Sequence, residues 1–168
     1  MEQHEANPQR GIYLLPNLLT TAALFAGFYA IVAAMKGLFD TAAVAIFVAT
    51  IADGLDGRVA RMTNTQTPFG AQFDSLSDMV CFGVAPALVM YSWSLMHLGK
   101  VGWLVAFLQT AGTALRLARF NTQVPDKRYF QGLSCTSAAG VIAGFVWIGA
   151  VYDIDGFYIS IFAAALMI

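Results

Sequence analysis

The sequence predicts an all-α protein, a polytopic transmembrane helix bundle, and three observations carry that reading. Of 168 residues, 58% are hydrophobic and only 11% charged, against roughly 25% charged in soluble domains. Mean hydropathy is +0.66. The apolar residues fall in long stretches parted by short polar turns, each long enough at ~1.5 Å per residue to cross a hydrocarbon core of ~30 Å. A net charge of −1 offers no basic field for nucleic acid. Cys81 and Cys135 lie in apolar surroundings without CxxC spacing, so they read as small buried residues and imply no disulfide framework.

Taken in order, residues 1–11 form a polar juxtamembrane segment in which Pro8 and Gly11 argue against a long helix, and 12–168 form one transmembrane domain. The polar start lacks the pattern of a signal peptide, so the first apolar stretch is expected in the mature protein. The spans run Ile12 to Met35, Leu38 to Met62, Gly70 to Leu95, Gly102 to Asn121 and Leu133 to Tyr152. Pro16-Asn17-Leu18-Leu19-Thr20 makes a polar notch in the first span; Asn17 or Thr20 can cap or bond back to the backbone there. Lys36 to Asp40, Met62 to Phe69, His97 to Val101, Thr122 to Gly132 and Asp153 to Gly156 are connections, and Pro86 is expected to kink the third span. Phe157 to Ile168 is apolar but only 12 residues long, about 18 Å of helix, which reads as a sixth helix left incomplete.

The chain is organised around DGLDGRVARMTNTQTPFGAQFDSLSD, Asp53 to Asp78. Asp53 and Asp56 stand three apart and Asp74 and Asp78 four apart, so on helices each pair projects from one face. Two such faces brought together make a four-carboxylate cluster. Unpaired anions at that density in a low dielectric cost several kcal/mol or protonate, so the cluster implies bound cations. Oxygen ligands with no Cys or His nearby favour Mg²⁺ or Mn²⁺ over zinc. The competing reading is a set of intramembrane ion pairs with Arg58, Arg61, Arg116 and Arg119, but simple pairing does not demand two closely spaced acidic pairs. Gly54 and Gly57 weaken their helix by up to ~1 kcal/mol each, which suits a place where a ligand or another helix comes close.

The spacing D-x2-D-G-x2-A-R-x8-G-x3-D-x3-D, fixed at eight positions over 26 residues, resembles the CDP-alcohol phosphatidyltransferases without departure. The resemblance covers residues 12–160 and implies a six-helix membrane enzyme. It also implies that Asp53, Asp56 and Asp74 hold two divalent cations with Asp78 joining as a ligand, and that Asp78 serves as general base. Asn17, Thr20, Asp53, Gly57, Ala60, Arg61 and Gly70 would meet the nucleotide and its diphosphate. Arg suits that place through its bidentate geometry.

The segments Phe73 to Ala87, Asp53 to Arg61 and Ala114 to Asn121 together resemble the phosphatidylserine synthase branch. That branch implies transfer of the phosphatidyl group of CDP-diacylglycerol to L-serine, giving phosphatidylserine and CMP. Arg116, Arg119, Asn121, Lys127 and Arg128 are the candidates to receive the serine carboxylate; lipid-headgroup or topology anchoring is the alternative for Lys127 and Arg128. Where the branch usually has a GLPSP-like segment this chain has Gly132-Leu133-Ser134-Cys135-Thr136-Ser137, so the fifth helix is expected to start differently. Another acceptor, glycerol 3-phosphate or inositol, keeps the same site, and a cation transporter is the reading from a different class. Seven basic residues (Arg10, Arg58, Arg61, Arg116, Arg119, Lys127, Arg128) fall on one side and two (Lys36, Lys100) on the other. That bias places the aspartates at the cytoplasmic face of a membrane, the inner membrane of a bacterial cell being expected. A homodimer is expected from the resemblance and from small-residue helix faces.

Overall fold

The computed structural model describes residues 9–63, 67–122 and 134–154, and every regular element among them is helical. In order these are α1 (Gln9–Met35), α2 (Phe39–Met62), α3 (Pro68–Asp78), a π-helical segment (Met79–Val84), α4 (Ala85–Trp93), a 3₁₀ turn (Leu95–Leu98), α5 (Lys100–Thr122) and α6 (Cys135–Val151). Helix α3, the π segment and α4 run on as one rod from Pro68 to Trp93. Among the described residues, this rod, Pro16–Met35 and Lys100–Thr122 are long and apolar enough to cross a membrane. Helix α2 has 24 residues, about 36 Å, but carries the charges of the central motif. Helix α6 is apolar and shorter, at 17 residues. The outer surface agrees with a lipid setting: Phe25, Phe28, Ile51, Trp103, Phe107 and Ile148 all lie more than half exposed, where a water-soluble protein would cover them.

Several features differ from those the sequence predicts, α5 for one beginning at Lys100 rather than Gly102. Helix α1 begins at Gln9, so Gly11 lies inside it, the modest cost of one glycine being outweighed by continuation of the helix. Helix α3 begins at Pro68, not Gly70. Thr67 is its N-cap, accepting from the Gly70 N–H at 3.0 Å, and Pro68 takes the first helical position, where its missing N–H costs nothing. Where a kink is expected at Pro86, the structure has a π-helical segment just before it, after which Pro86 stands in the first turn of α4. The stretch expected to begin a further helix, Phe157 to Ile168, and residues 1–8 fall outside the described residues.

Helices α1 and α2 are joined by a tight turn. The Leu38 N–H donates to Ala33 O and the Gly37 N–H to Ala34 O, each at 3.0 Å, while Gly37 has φ +74°; this Schellman closure needs a residue free of a Cβ penalty at that position. The two helices then pack over most of their length. Ala26, Ala30, Ala33 and Ala34 of α1 and Ala42, Ala43, Ala45 and Ala49 of α2 are all buried in one core cluster, and Ala23 of α1 is buried as well. Between helices in lipid, small side chains at such a seam are what allow backbones to approach, because there is little hydrophobic drive to bring them together. Helix α6 packs on α2 and α4, and α5 on α4, the π segment and the 3₁₀ turn. Phe82, Met90, Val89, Leu95 and Val146 fill the centre, each 0% exposed.

Gly102 shows how closely α5 comes to the 3₁₀ turn: a Cβ there would overlap the Leu95 carbonyl group. At Gly112 on the same helix a Cβ meets nothing within 4 Å. Gly102→Ala is therefore expected to destabilise the detergent-solubilised protein by ~1–3 kcal/mol through overpacking, whereas Gly112→Ala leaves it unchanged or slightly more stable. Equal melting temperatures for the two variants, followed by tryptophan fluorescence, would show that this approach is not tight.

Candidate metal and diphosphate site

Helices α2 and α3 each pack against α1. Asp53 and Asp56 project from α2 and Asp74 from α3, and one carboxylate oxygen of each lies within 4.8 Å of the others. Asp78, one turn beyond Asp74, faces Asp53 at hydrogen-bonding distance. Among the described residues, the charged neighbours acting on these carboxylates are one another. Asp56 is 4% exposed and the other three are half-buried.

Asp74 Oδ1 is buried and has no hydrogen-bond partner among the described residues. A buried carboxylate oxygen without a donor costs free energy unless a cation meets it. The donor set is all oxygen, three carboxylates converge, and one converging oxygen is orphaned; these residues fit a divalent cation such as Mg²⁺ or Mn²⁺.

Around this group, α1 supplies Thr20, whose hydroxyl donates to Asp56 Oδ2 at 2.6 Å, and Asn17, whose Oδ1 would lie 3.4 Å from a Cβ on Gly70. Gly70 thus serves close packing of α3 on α1. Gly57 has room: the nearest atom to a Cβ there is Arg61 Nη2 at 3.9 Å. Arg61 is exposed and folds back along its own helix, its Nε donating to the Gly57 carbonyl at 2.9 Å. Ala60, between them, is half-buried.

The acceptor candidates are less well gathered. Arg116 on α5 is half-buried and within electrostatic reach of Cys135 at the start of α6. Arg119 is exposed in the last turn of α5. Asn121 Nδ2 donates to Ser75 Oγ at 3.1 Å, tying the end of α5 to α3 beside Asp74. Lys127 and Arg128 fall outside the described residues. Helix α6, whose predicted start departs from the branch pattern, opens with Ser134 as N-cap, accepting from the Ser137 N–H at 3.1 Å.

Sequence reasoning passed over three polar residues. Ser77, 2% exposed, donates to the Thr20 carbonyl at 3.3 Å; Ser75 receives Asn121; and Thr67 caps α3. Thr67-Pro68 carried a readable helix-start signal. Ser77 carried none, since its partner lies 57 positions away.

Comparison with known proteins bears on this arrangement. The chain is 42% identical over 137 residues to a CDP-diacylglycerol–serine O-phosphatidyltransferase of Helicobacter pylori, covering 80% of this chain and 58% of that protein. It is 37% identical over 165 residues to the protein of that name from Mycobacterium tuberculosis, covering 90% and 57%. An archaetidylserine synthase of Methanothermobacter thermautotrophicus is 35% identical over 156 residues, covering 92% and 66%. The chain thus spans less than two thirds of the length of each of these relatives. The match to the family described as CDP-alcohol phosphatidyltransferase runs over residues 13–168, through both aspartate pairs and the helices that present them, and this chain belongs to that family.

Proposed function

We propose that this chain carries the site of a membrane enzyme that transfers the phosphatidyl group of CDP-diacylglycerol to L-serine, releasing phosphatidylserine and CMP. The observation that carries the reading is the pooling of Asp53, Asp56 and Asp74 from two helices, with a buried Asp74 oxygen left for a cation. Three relatives from two bacteria and an archaeon share serine in their names while the lipid part differs, which supports serine as the acceptor.

Asp53, Asp56 and Asp74 would hold two divalent cations, Mg²⁺ or Mn²⁺. When bound, such cations neutralise charge on the diphosphate and stabilise the leaving oxygen. The residues do the rest. The open space at Gly57 admits the phosphates against the α2 backbone. Arg61 exchanges the Gly57 carbonyl for diphosphate oxygens, a stronger, charge-assisted partner. Asp78, set beside Asp53 and outside the three-carboxylate group, takes the proton of the serine hydroxyl. That oxygen bonds to the phosphorus bearing the diacylglycerol, the bond from this phosphorus to the bridging oxygen breaks, and the bridging oxygen leaves with CMP. No Ser, Cys or His nucleophile is needed in this direct displacement. Arg116, Arg119 and Asn121, with Lys127 and Arg128, would receive the serine carboxylate. The site would open to the cytoplasm, where CMP and serine are soluble, in a homodimer.

The test is CMP release from CDP-diacylglycerol by protein in detergent micelles. Release should require both serine and Mg²⁺ or Mn²⁺, stop with chelator, and exceed release with glycerol 3-phosphate or inositol; serine-independent rates would reject the acceptor. Asp78→Asn should lower kcat by ~10²–10⁴-fold, the range of a lost general base, while CDP-diacylglycerol still binds. A near-normal rate would remove Asp78 from that role.

Asp74→Asn separates charge repulsion from cation binding. It removes one of the mutually repelling charges, so the cation-free protein should melt no lower than wild type. The stabilisation by Mn²⁺, ~2.7 kcal/mol at a concentration one hundred times Kd, should largely vanish. A Mn²⁺-induced rise in Tm equal to that of wild type would show that Asp74 is no ligand.

A further inference from the structure

Thr20 of α1 is bonded to both aspartate-bearing helices, and we infer that it is a positioning residue for the cation site rather than a contact to the nucleotide. It is 4% exposed. Its Oγ1 lies 2.6 Å from Asp56 Oδ2 and 3.0 Å from the Pro16 carbonyl oxygen, two acceptors for one hydroxyl proton. The carboxylate is nearer and charged, so it takes the proton. The Thr20 carbonyl accepts from Ser77 Oγ at 3.3 Å, and Ser77 is buried between Asp74 and Asp78 in sequence. One residue of α1 thus grips α2 by its side chain and α3 by its main chain.

Two consequences follow from this geometry. The hydroxyl occupies Asp56 Oδ2 and fixes the plane of the carboxylate, which leaves Oδ1 oriented for a cation; partners of this kind set ligand direction and metal affinity. The Ser77 bond fixes how far α3 can slide along α1, and so the separation of Asp74 from Asp53 and Asp56. A buried hydroxyl already committed to a carboxylate has no proton to offer a nucleotide.

The inference rests on the proposed function only in taking these aspartates as cation ligands, and its test needs no turnover. Full-length protein in detergent is titrated with Mn²⁺ while the electron paramagnetic resonance signal of free Mn²⁺ is followed. Thr20→Val, which keeps the shape and removes the hydroxyl, is expected to weaken Mn²⁺ binding ~10–100-fold, and Thr20→Ser to stay within about threefold of wild type. CDP binding at saturating Mn²⁺ should be the same in all three proteins. Ser77→Ala should also weaken Mn²⁺ binding, and it carries the test if the valine variant does not fold. Wild-type Mn²⁺ affinity in both Thr20→Val and Ser77→Ala overturns the inference, as does loss of CDP binding in Thr20→Val with Mn²⁺ affinity unchanged. A wild type inactive with serine whose Mn²⁺ site is sensitive to Thr20→Val supports the inference while overturning the proposed reaction.

Discussion

Like-charge repulsion inside a lipid-facing bundle is the constraint on which the rest of this structure depends. Two carboxylates 4–5 Å apart repel by roughly 3–4 kcal/mol at an effective dielectric near 20, and Asp53, Asp56 and Asp74 make three such pairs, with Asp78 beside them. A fold of ordinary stability has only ~5–15 kcal/mol to spare. The arrangement therefore needs a scaffold that holds α2 and α3 together without help from the site, and relief of that charge by protons or by a cation.

The scaffold is α1. Its buried alanines let α2 lie close, α3 meets it through Gly70 beside Asn17, and the π segment meets it through Cys81, whose thiol donates to the Ala23 carbonyl at 3.2 Å. Hydroxyl and thiol groups bond directly to main-chain carbonyls of the neighbouring helix only where backbones come this near. The same small residues that give tight packing therefore also give the polar cross-links their reach. Large apolar side chains, which would hold α1 away from α3, are placed outward instead, as with Phe25 and Phe28.

How much of this could be read beforehand follows from what is local. The helical spans were legible because composition and length decide them, and the aspartate pairs because their spacing is a property of one helix. Contacts between helices were not. Thr20 finds Asp56 across 36 positions and Ser77 finds Thr20 across 57, and no periodicity announces either. The resemblance points Thr20 toward the nucleotide, and its bond to a carboxylate of another helix is a contact that local pattern does not carry. Arg61 shows a different limit. Its residue type suits a diphosphate, while the bond its Nε makes to the carbonyl one turn back is a matter of side-chain conformation that residue type does not fix.

The rod from Pro68 to Trp93 has two opposite tasks, and the π segment is where they are separated. Its first part must present Asp74 and Asp78 to a polar pocket; its last part buries Pro86, Val89, Met90 and Trp93 against α1, α5 and α6. In an unbroken α-helix these demands share one register, and Pro86 would leave a mid-helix carbonyl without its donor. The π turns admit an extra residue, so the Ala85 N–H reaches back to the Val80 carbonyl, five residues away. Pro86 then falls in the first turn of α4, and the face below the break can rotate to suit the core. Thr110 Oγ1 lies 3.5 Å from the Gly83 carbonyl and 3.0 Å from its own Ala106 carbonyl, so α5 offers a hydroxyl where the main-chain pattern changes. The break comes directly after Asp78. The last carboxylate is the final residue whose direction is set by the register of α3, and everything beyond it is free to close the bundle.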